Sequence, residues 1–354
     1  MLEPILIAIL LAVLILSISV RIVERNIEIF LFFIGVIAVN VVHVLGGGAF
    51  WTVALVKDAL FSPLMITCAV FIAGLLVLSL KNIVTGHVLK INNFLGEKLF
   101  CVLLIISLGL LSSVISAIIA AILLVEVVSF LRYNREFEIK LTVLGCFSVG
   151  LGAGLTPIGE PLSTICIAKL AGAPYHANFF FMLKNLGWYI VPGVLLCGLA
   201  SLLFHPGVNT AGEVRLHENK NEGFVDVITR SLKVYIFIVG LILLGASFKP
   251  LIDKYVLGLP SLSLFWINIL SAVTDNATLA AAEISPRMSL AQIQAALLGL
   301  LIAGGMLIPG NIPNIISAGR LGITSKEWSR TAIPLGLALM CLYFAVFSLI
   351  KFGY

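Results

Sequence analysis

The sequence predicts an all-α polytopic membrane protein with two inverted repeats, each containing a re-entrant helical hairpin and a discontinuous transmembrane helix. Three observations predict this fold: the overall composition, apolar runs too long for one span, and Pro/Gly interruptions at corresponding places. Of 354 residues, 60% are hydrophobic and 11% are charged, and the mean hydropathy is +1.16. Soluble domains carry roughly 25% charged residues, so this composition excludes an ordinary water-soluble enzyme.

Several other classes of function are not expected either. The net charge of +5 comes from scattered basic residues without a dense basic stripe, which argues against nucleic-acid binding. The chain has no His-Glu-x-x-His, Gly-x-Ser-x-Gly or Walker motif, so we expect neither an enzyme nor a resident cofactor. Six cysteines lie in apolar runs without a CxxC pair or a nearby histidine, which predicts neither zinc binding nor disulfides.

The first 98 residues are predicted to form a scaffold of three transmembrane helices. Apolar runs cover about 4–20, 27–46 and 59–80, and each is close to the ~20 residues that cross the hydrocarbon layer. The first run lacks a basic segment before it and an Ala-x-Ala site after it. We therefore expect it to be a retained helix rather than a cleaved signal peptide.

The first repeat is predicted at 99–204. Its run 99–131 is 33 residues long, or roughly 50 Å as a single helix, and it has small and polar residues in its middle (Gly109, Ser112, Ser113 and Ser116). This pattern predicts a re-entrant hairpin with a polar tip. The next run, 139–170, is interrupted by Thr156-Pro-Ile-Gly-Glu-Pro161 and predicts a broken helix, because proline removes helix hydrogen bonds. A helix at 178–204 completes the repeat.

The second repeat is predicted at 231–354, after a hydrophilic cytoplasmic linker at 205–230. Its predicted elements follow the order of the first repeat: a helix at 231–248, a hairpin at 257–285, a broken helix at 290–322 and a helix at 331–350. The sequence SAVTDNAT stands in the middle of the hairpin, and Ile308-Pro-Gly-Asn-Ile-Pro-Asn314 interrupts the broken helix.

The two halves also align in sequence. Residues 112–121 align with 271–280, which places Ser116 opposite Asp275, and 154–172 resembles 306–322 with a basic residue near each end. Pro/Gly-interrupted segments at corresponding positions of two halves indicate the binding site of a secondary transporter. The alternative is kinked helices with a chance similarity.

The distribution of basic residues favours the two hairpins. If both runs turn back, fifteen of the 22 Lys and Arg residues lie on one side of the membrane and seven on the other; if both span, the split is roughly 12 to 10. The positive-inside rule therefore favours hairpins that open from opposite faces, with the amino terminus outside the cell membrane.

Two carboxylates in the middle of apolar runs are the strongest candidates for function. Glu160 and Asp275 stand beside backbone that cannot be regular helix, and a mid-membrane carboxylate is costly unless it faces protein, water or a cation. Oxygen-bearing side chains surround them in the sequence: Ser112, Ser116, Thr156, Ser163, Thr164, Ser271, Thr274, Asn276, Thr278, Asn311 and Asn314. Such a set predicts a hard-cation site with Asp275 and Glu160 as its charged ligands.

Structural roles for the neutral residues remain open at this stage. A single Ser or Thr can bond its own i−4 carbonyl, and Asn311 and Asn314 could satisfy backbone groups freed by the prolines. Glu126 and Glu283, near segment ends, are expected at the membrane interface. Lys169 and Arg320 are expected to interact with the carboxyl ends of their own helices.

The motifs Ser271-Ala-Val-Thr-Asp275-Asn276-Ala-Thr and Thr156-Pro-Ile-Gly-Glu160-Pro-Leu-Ser163 resemble hairpin-tip and unwound-helix motifs of the ion transporter superfamily. That group includes arsenite permeases, NhaD-type sodium/proton antiporters and divalent-anion/sodium symporters, and the chain is similar to a short prokaryotic cation-transporter branch. The resemblance implies ion-exchange roles for Ser271, Asp275 and Asn276 and for the turn from Gly159 to Ser163, and a homodimer formed through the amino-terminal helices. The chain departs from the antiporter pattern by having Ser116-Ala117 in place of Asp-Asn, and Glu160 in place of Asp.

The expected function is secondary exchange of a monovalent cation, most readily Na⁺, for protons. A sodium-coupled symporter of an organic or inorganic anion is the alternative, because half-helix amino ends suit an anion. A permease for another ion or a metalloid is a third possibility. The expected partners are the lipid bilayer and small inorganic cations.

Overall fold

The structure is a computed structural model that describes most of the chain. The residues described are 2–20, 22–23, 26–46, 50–61, 63–64, 67–68, 71–72, 75, 91–92, 94–131, 133–205, 224–255, 258–273 and 276–352. Within these residues the chain folds into helices joined by short turns, and it contains no strand.

Thirteen α-helices can be bounded in the described part of the chain. They are α1 Leu2–Ser19, α2 Ile27–Leu45, α3 Glu97–Ile115, α4 Ala117–Leu131, α5 Arg135–Ala153, α6 Pro161–Lys169, α7 Phe181–Ala200, α8 Phe224–Tyr255, α9 Ser261–Ile267, α10 Asn276–Glu283, α11 Leu290–Ala303, α12 Ile312–Leu321 and α13 Ser325–Phe352. Short 3₁₀ segments cover Ser201–Leu203, Asn268–Ala272 and Ile308–Gly310.

Five of the described helices are long and apolar enough to cross a membrane. They lie at Glu28–Leu45, Glu97–Ile115, Phe181–Leu203, Val227–Leu251 and Ser325–Leu349. Large apolar side chains on them, such as Phe33, Val114 and Trp188, are exposed on the outer surface of the fold. Exposed apolar side chains on helices of this length fit contact with lipid rather than with water.

Several helices extend beyond the predicted spans. Helix α8 begins at Phe224, so the predicted linker 205–230 is wrong over 224–230, and α13 begins at Ser325 rather than 331. The additional turns contain polar residues. A prediction from hydropathy does not count these residues as part of a membrane span, but in the structure they belong to the helix. Of the third predicted span, 59–80, the structure describes residues 59–61 as helical and only isolated residues beyond them.

The amino-terminal helices pack against the first helix of the second half. A Cβ on Gly35 would lie 2.8 Å from the Gly240 carbonyl oxygen, so α2 and α8 are in backbone contact. Lys233 Nζ lies 2.7 Å from Glu28 Oε1 in the same pair of helices. Small residues allow this close approach in a protein without water between its helices.

An equally close approach joins α3 to α5. A Cβ on Gly152 would lie 1.7 Å from the Gly109 carbonyl oxygen, and a Cβ on Gly109 would lie 2.1 Å from Ser148 Oγ. Ser148 Oγ donates a hydrogen bond of 2.9 Å to the Ile105 carbonyl. The two backbones therefore touch immediately before the point at which α5 ends.

We predict that Gly152→Ala lowers the free energy of unfolding by about 1–3 kcal/mol, the usual cost of overpacking. Thermal unfolding of the purified protein in detergent measures the effect. Gly319→Ala on α12 is the control, because a Cβ there meets no atom within 4 Å. Equal melting temperatures for the two variants would contradict the close crossing of α3 and α5.

Candidate functional site

The candidate site is built on two helix interruptions. Residues 154–160 separate α5 from α6, and residues 304–311 separate α11 from α12. Each second half-helix begins after an extended residue: Glu160 has φ −156° and ψ 160°, and Asn311 has φ −154° and ψ 148°. Pro161 and Pro313 occupy the first turns that follow, where a missing N–H costs nothing.

A side chain from each second half-helix reaches back to the glycine that follows the first half-helix. Ser163 Oγ donates to the Gly154 carbonyl at 3.0 Å. Asn314 Nδ2 donates to the Gly304 carbonyl at 2.8 Å and to the Leu307 carbonyl at 2.9 Å. These bonds satisfy backbone oxygens that the interruption removes from the helix ladder.

Glycine permits the tight return of both interruptions. A Cβ on Gly159 would lie 2.0 Å from the Ala153 carbonyl oxygen, and a Cβ on Gly310 would lie 2.5 Å from the Gly304 carbonyl oxygen. A side chain at either position would collide with backbone, so the two turns depend on Gly at these positions.

The junction between α3 and α4 contacts the first interruption. Ser116, at the junction, has φ 78° and ψ 152°, and the Ala117 amide donates to the Gly159 carbonyl at 2.8 Å. Thr156 Oγ1 donates to the Ser113 carbonyl, and Ser112 Oγ donates to the Val149 carbonyl at 3.0 Å. The tip predicted around residue 116 therefore meets the unwound backbone predicted at 156–161.

The 3₁₀ segment Asn268–Ala272 contacts the second interruption. Ser271 Oγ donates to the Leu300 carbonyl at 3.1 Å, and a Cβ on Gly310 would lie 2.8 Å from the Ser271 carbonyl oxygen. Thr274 and Asp275, predicted here as ion ligands, lie outside the described residues. Asn276 follows them as the first residue of α10.

Two buried amide groups at this second interruption have unused polar atoms. Asn276 Nδ2 and Asn314 Oδ1 are buried without a hydrogen-bond partner in the described structure. A Cβ on Gly304 would lie 3.5 Å from Asn276 Nδ2, and Asn314 Nδ2 bonds the carbonyl of the same glycine. A buried unsatisfied polar group costs about 1–3 kcal/mol, so both atoms suit a ligand, ion or water at this point.

Two pairs of short helices start at the interruptions and run side by side in the same direction. Helix α6 packs against α10, and Lys169 Nζ, at the end of α6, donates to the Ile284 carbonyl at 3.2 Å just beyond the end of α10. Helix α12 packs against α4, and Arg320 forms an ion pair with Glu126. Four helix amino ends, those of α4, α6, α10 and α12, therefore lie around the two interruptions.

These contacts add to the expectation for the two basic residues. Each lies in the last turn of its own helix, and each also has a partner on the neighbouring helix. The two interruptions are also close to each other, because a Cβ on Gly150 of α5 would lie 2.8 Å from Asn311 Nδ2. The two halves of the site therefore form one region of the protein interior.

Most of the predicted neutral residues are buried but already bonded. Ser112, Ser163 and Ser271 are fully buried and donate to backbone carbonyls. Thr156 is half-buried and bonded, and Thr164 donates to the Pro157 carbonyl at 2.7 Å. These hydroxyls hold the unwound segments together, and their oxygen lone pairs can still accept a ligand. The Thr278 side chain lies outside the described residues.

Sequence reasoning missed one residue of the site and did not predict the burial of two others. Trp328, at the start of α13, is completely buried and its Nε1 donates to the Gly305 carbonyl at 3.2 Å. Trp328 lies in a polar stretch before the predicted span, so hydropathy did not indicate this role. Glu283 is 2% exposed within the fold, and Glu126 pairs with Arg320 at a largely buried position.

Comparison with known proteins identifies the family without assigning an activity. No curated protein matches the sequence. One family model, described as a protein of unknown function (DUF1646), matches residues 4–350, which is nearly the whole chain. The chain therefore belongs to the DUF1646 family.

Proposed function

We propose that this protein is a secondary active transporter that exchanges a monovalent cation, most readily Na⁺, for protons across the cell membrane. One observation carries the proposal: the Glu160 carboxyl is 5% exposed, beside unwound backbone and at the amino end of a half-helix. A carboxylate in such a place is costly, and it marks a candidate site for a cation or a proton.

The contacts at the two interruptions support the proposal that the chain contains two structural repeats. Three pairs of residues have the same role in the two halves. The carbonyls of Val149 and Leu300 accept a serine hydroxyl. Glu160 and Asn311 each directly precede a half-helix, and the side chains of Ser163 and Asn314 each donate to a glycine carbonyl. In every pair the second residue follows the first by 151 positions. Kinked helices with only a chance similarity would not give the same 151-residue spacing for three different features. We therefore keep the two inverted repeats and their re-entrant hairpins as part of the proposal.

The proposed cation site combines one carboxylate from each half. Glu160 directly precedes α6, and Asp275 directly precedes α10 in the sequence. Helices α6 and α10 run side by side in the same direction. The unused Asn314 Oδ1 adds a neutral oxygen at the neighbouring interruption, where the unused Asn276 Nδ2 is a donor that can bond a carboxylate or a water. Carboxylate, amide and backbone oxygens are the ligands that hard cations prefer. Ser112, Ser116, Thr156, Thr274 and Asn311 are proposed as the outer part of the same site.

Exchange follows from competition for the carboxylates. A buried carboxylate without a cation binds a proton readily, because burial disfavours its charge, and an arriving cation favours the charged form again. Na⁺ and protons therefore displace each other from Glu160 and Asp275. The hairpins, which open from opposite faces in this proposal, would expose the site to each side in turn.

The first helices have a supporting role in the proposal. Helices α1 and α2 pack against α8 rather than against the interruptions, which suits a scaffold that stays fixed in the bilayer. We propose that this scaffold also forms a homodimer, that the amino terminus is outside, and that nucleic acid is not a partner.

The alternative, a sodium-coupled anion symporter, has one specific observation in its favour. Four helix amino ends surround the interruptions, and each carries about half a positive charge, which attracts anions. Two carboxylates in the same region would repel a bound anion in a low-dielectric interior. The carboxylates are therefore better explained if they neutralise the helix ends and bind cations.

We predict that Asp275→Asn and Glu160→Gln each abolish sodium-driven proton movement in proteoliposomes, because each removes a group that binds both Na⁺ and H⁺. A pH-sensitive dye trapped in the vesicles measures the exchange. Glu136→Gln is the matched control, since this exposed carboxylate pairs with Lys140 on the surface. Exchange that persists at the wild-type rate in both site variants would rule out the proposal.

We also predict that Asn314→Ser raises the sodium concentration for half-maximal exchange about tenfold, which corresponds to 1.4 kcal/mol. The serine removes the unused Oδ1 while it supplies the residue that the first half has at the corresponding position. Asn185→Ser is the control, because Asn185 bonds the Phe181 carbonyl of its own helix. If Asn314→Ser had the same sodium dependence as the wild type, the Asn314 amide oxygen would not be a sodium ligand.

A further inference from the structure

Glu283 is a second buried carboxyl that the proposed exchange site does not use. Its side chain is 2% exposed at the carboxyl end of α10. Asn268 Nδ2 donates to Glu283 Oε1 at 3.0 Å and also lies 3.3 Å from the Ala296 carbonyl. An amide donor supplies no positive charge, so this hydrogen bond only partly compensates an ionised carboxylate in the interior.

Among the described residues, no basic side chain forms an ion pair with the Glu283 carboxyl. The charged groups on the elements that pack against α10 are as follows. Helix α6 brings Lys169 to this end, and Lys169 Nζ bonds the Ile284 carbonyl at 3.2 Å. Lys249 of α8 and Arg287 of the following loop are exposed. Helix α11 and the 3₁₀ segment have no charged residue. A buried carboxyl with these neighbours favours its neutral, protonated form.

Glu283 also stands between the candidate site and the protein surface. It follows Asn276 by seven residues, or roughly 10 Å along one face of the helix. Pro286 and Arg287, three and four residues later, are exposed. Its partner Asn268 shares a 3₁₀ segment with Ser271, which bonds the Leu300 carbonyl at the interruption. Polar side chains thus connect the exposed loop with the site.

We propose that Glu283 is a proton-binding residue that relays protons between the loop at 285–287 and the carboxylates of the exchange site; the proposal rests on the proposed function. A hydronium ion at the loop gives its proton to a Glu283 oxygen and leaves as water. The same proton then passes to a site carboxylate, and Glu283 returns to the ionised form. No electrons are transferred in either step.

Infrared spectroscopy of the purified full-length protein tests proton binding directly. With sodium in excess, so that Glu160 and Asp275 bind the cation instead of protons, the wild-type protein should still show the C=O stretch of a protonated carboxyl at neutral pH, and this band should disappear at alkaline pH. Glu283→Gln, which keeps an oxygen for Asn268, should remove the band, and Glu283→Asp should shift its frequency. Glu28→Gln is the control and should leave the band unchanged, because Glu28 is also buried but pairs with Lys233 at 2.7 Å. A titrating band that is identical in the wild type and all Glu283 variants would overturn the proposal.

Measurements of sodium and proton exchange distinguish a failure of the Glu283 relay from a failure of the proposed function. In proteoliposomes Glu283→Gln should slow sodium-driven proton movement at least tenfold while sodium still stabilises the purified variant to heat, and Glu283→Asp should restore exchange with an altered pH profile. Wild-type exchange in Glu283→Gln would overturn the relay. A Glu283 band in a wild-type protein that exchanges no sodium for protons would refute the proposed function and would leave Glu283 as a proton-binding group without the relay.

Discussion

The structure depends on one constraint: backbone that leaves the helix inside an apolar fold must have its polar groups bonded by other parts of the protein. Residues 154–160 and 304–311 are such backbone, and neighbouring side chains supply the missing partners. Ser163, Asn314 and Trp328 bond three glycine carbonyls beside the interruptions. Within the long apolar runs, small and polar residues lie where this constraint applies.

The same constraint explains where charge is tolerated. Each interruption creates helix amino ends with partial positive charge, and a carboxylate beside such an end costs less than it would elsewhere in the interior. Glu160 occupies one of these positions. At the opposite ends of the short helices, Lys169 and Arg320 contact the neighbouring helix and hold each parallel pair together. The arrangement combines a polar centre with two fixed outer ends, which suits a site that changes its access while its helices stay paired.

Much of this organisation could be predicted from the sequence because proline and glycine act locally. The paired prolines and the glycines of Thr156-Pro-Ile-Gly-Glu-Pro161 and Pro309-Gly-Asn-Ile-Pro313 disfavour a regular helix, and α5 and α11 end a few residues before them, at Ala153 and Ala303. Tertiary partners were not predictable in this way. The Trp328 bond to Gly305, the Glu126–Arg320 pair and the burial of Glu283 depend on which helices become neighbours. Helix ends such as Phe224 were missed because polar turns continue a helix beyond its apolar span.

The central claim is that the two interruptions form a cation site in which protons compete. Thermal unfolding of the purified protein with sodium, lithium, potassium or a dicarboxylate, at one acidic and one alkaline pH, tests it most directly. A ligand that binds the native state raises the melting temperature, and the increase grows with the ratio of ligand concentration to Kd. The account predicts stabilisation by sodium that weakens at the acidic pH. Stabilisation by the dicarboxylate alone would contradict it and would favour the anion symporter.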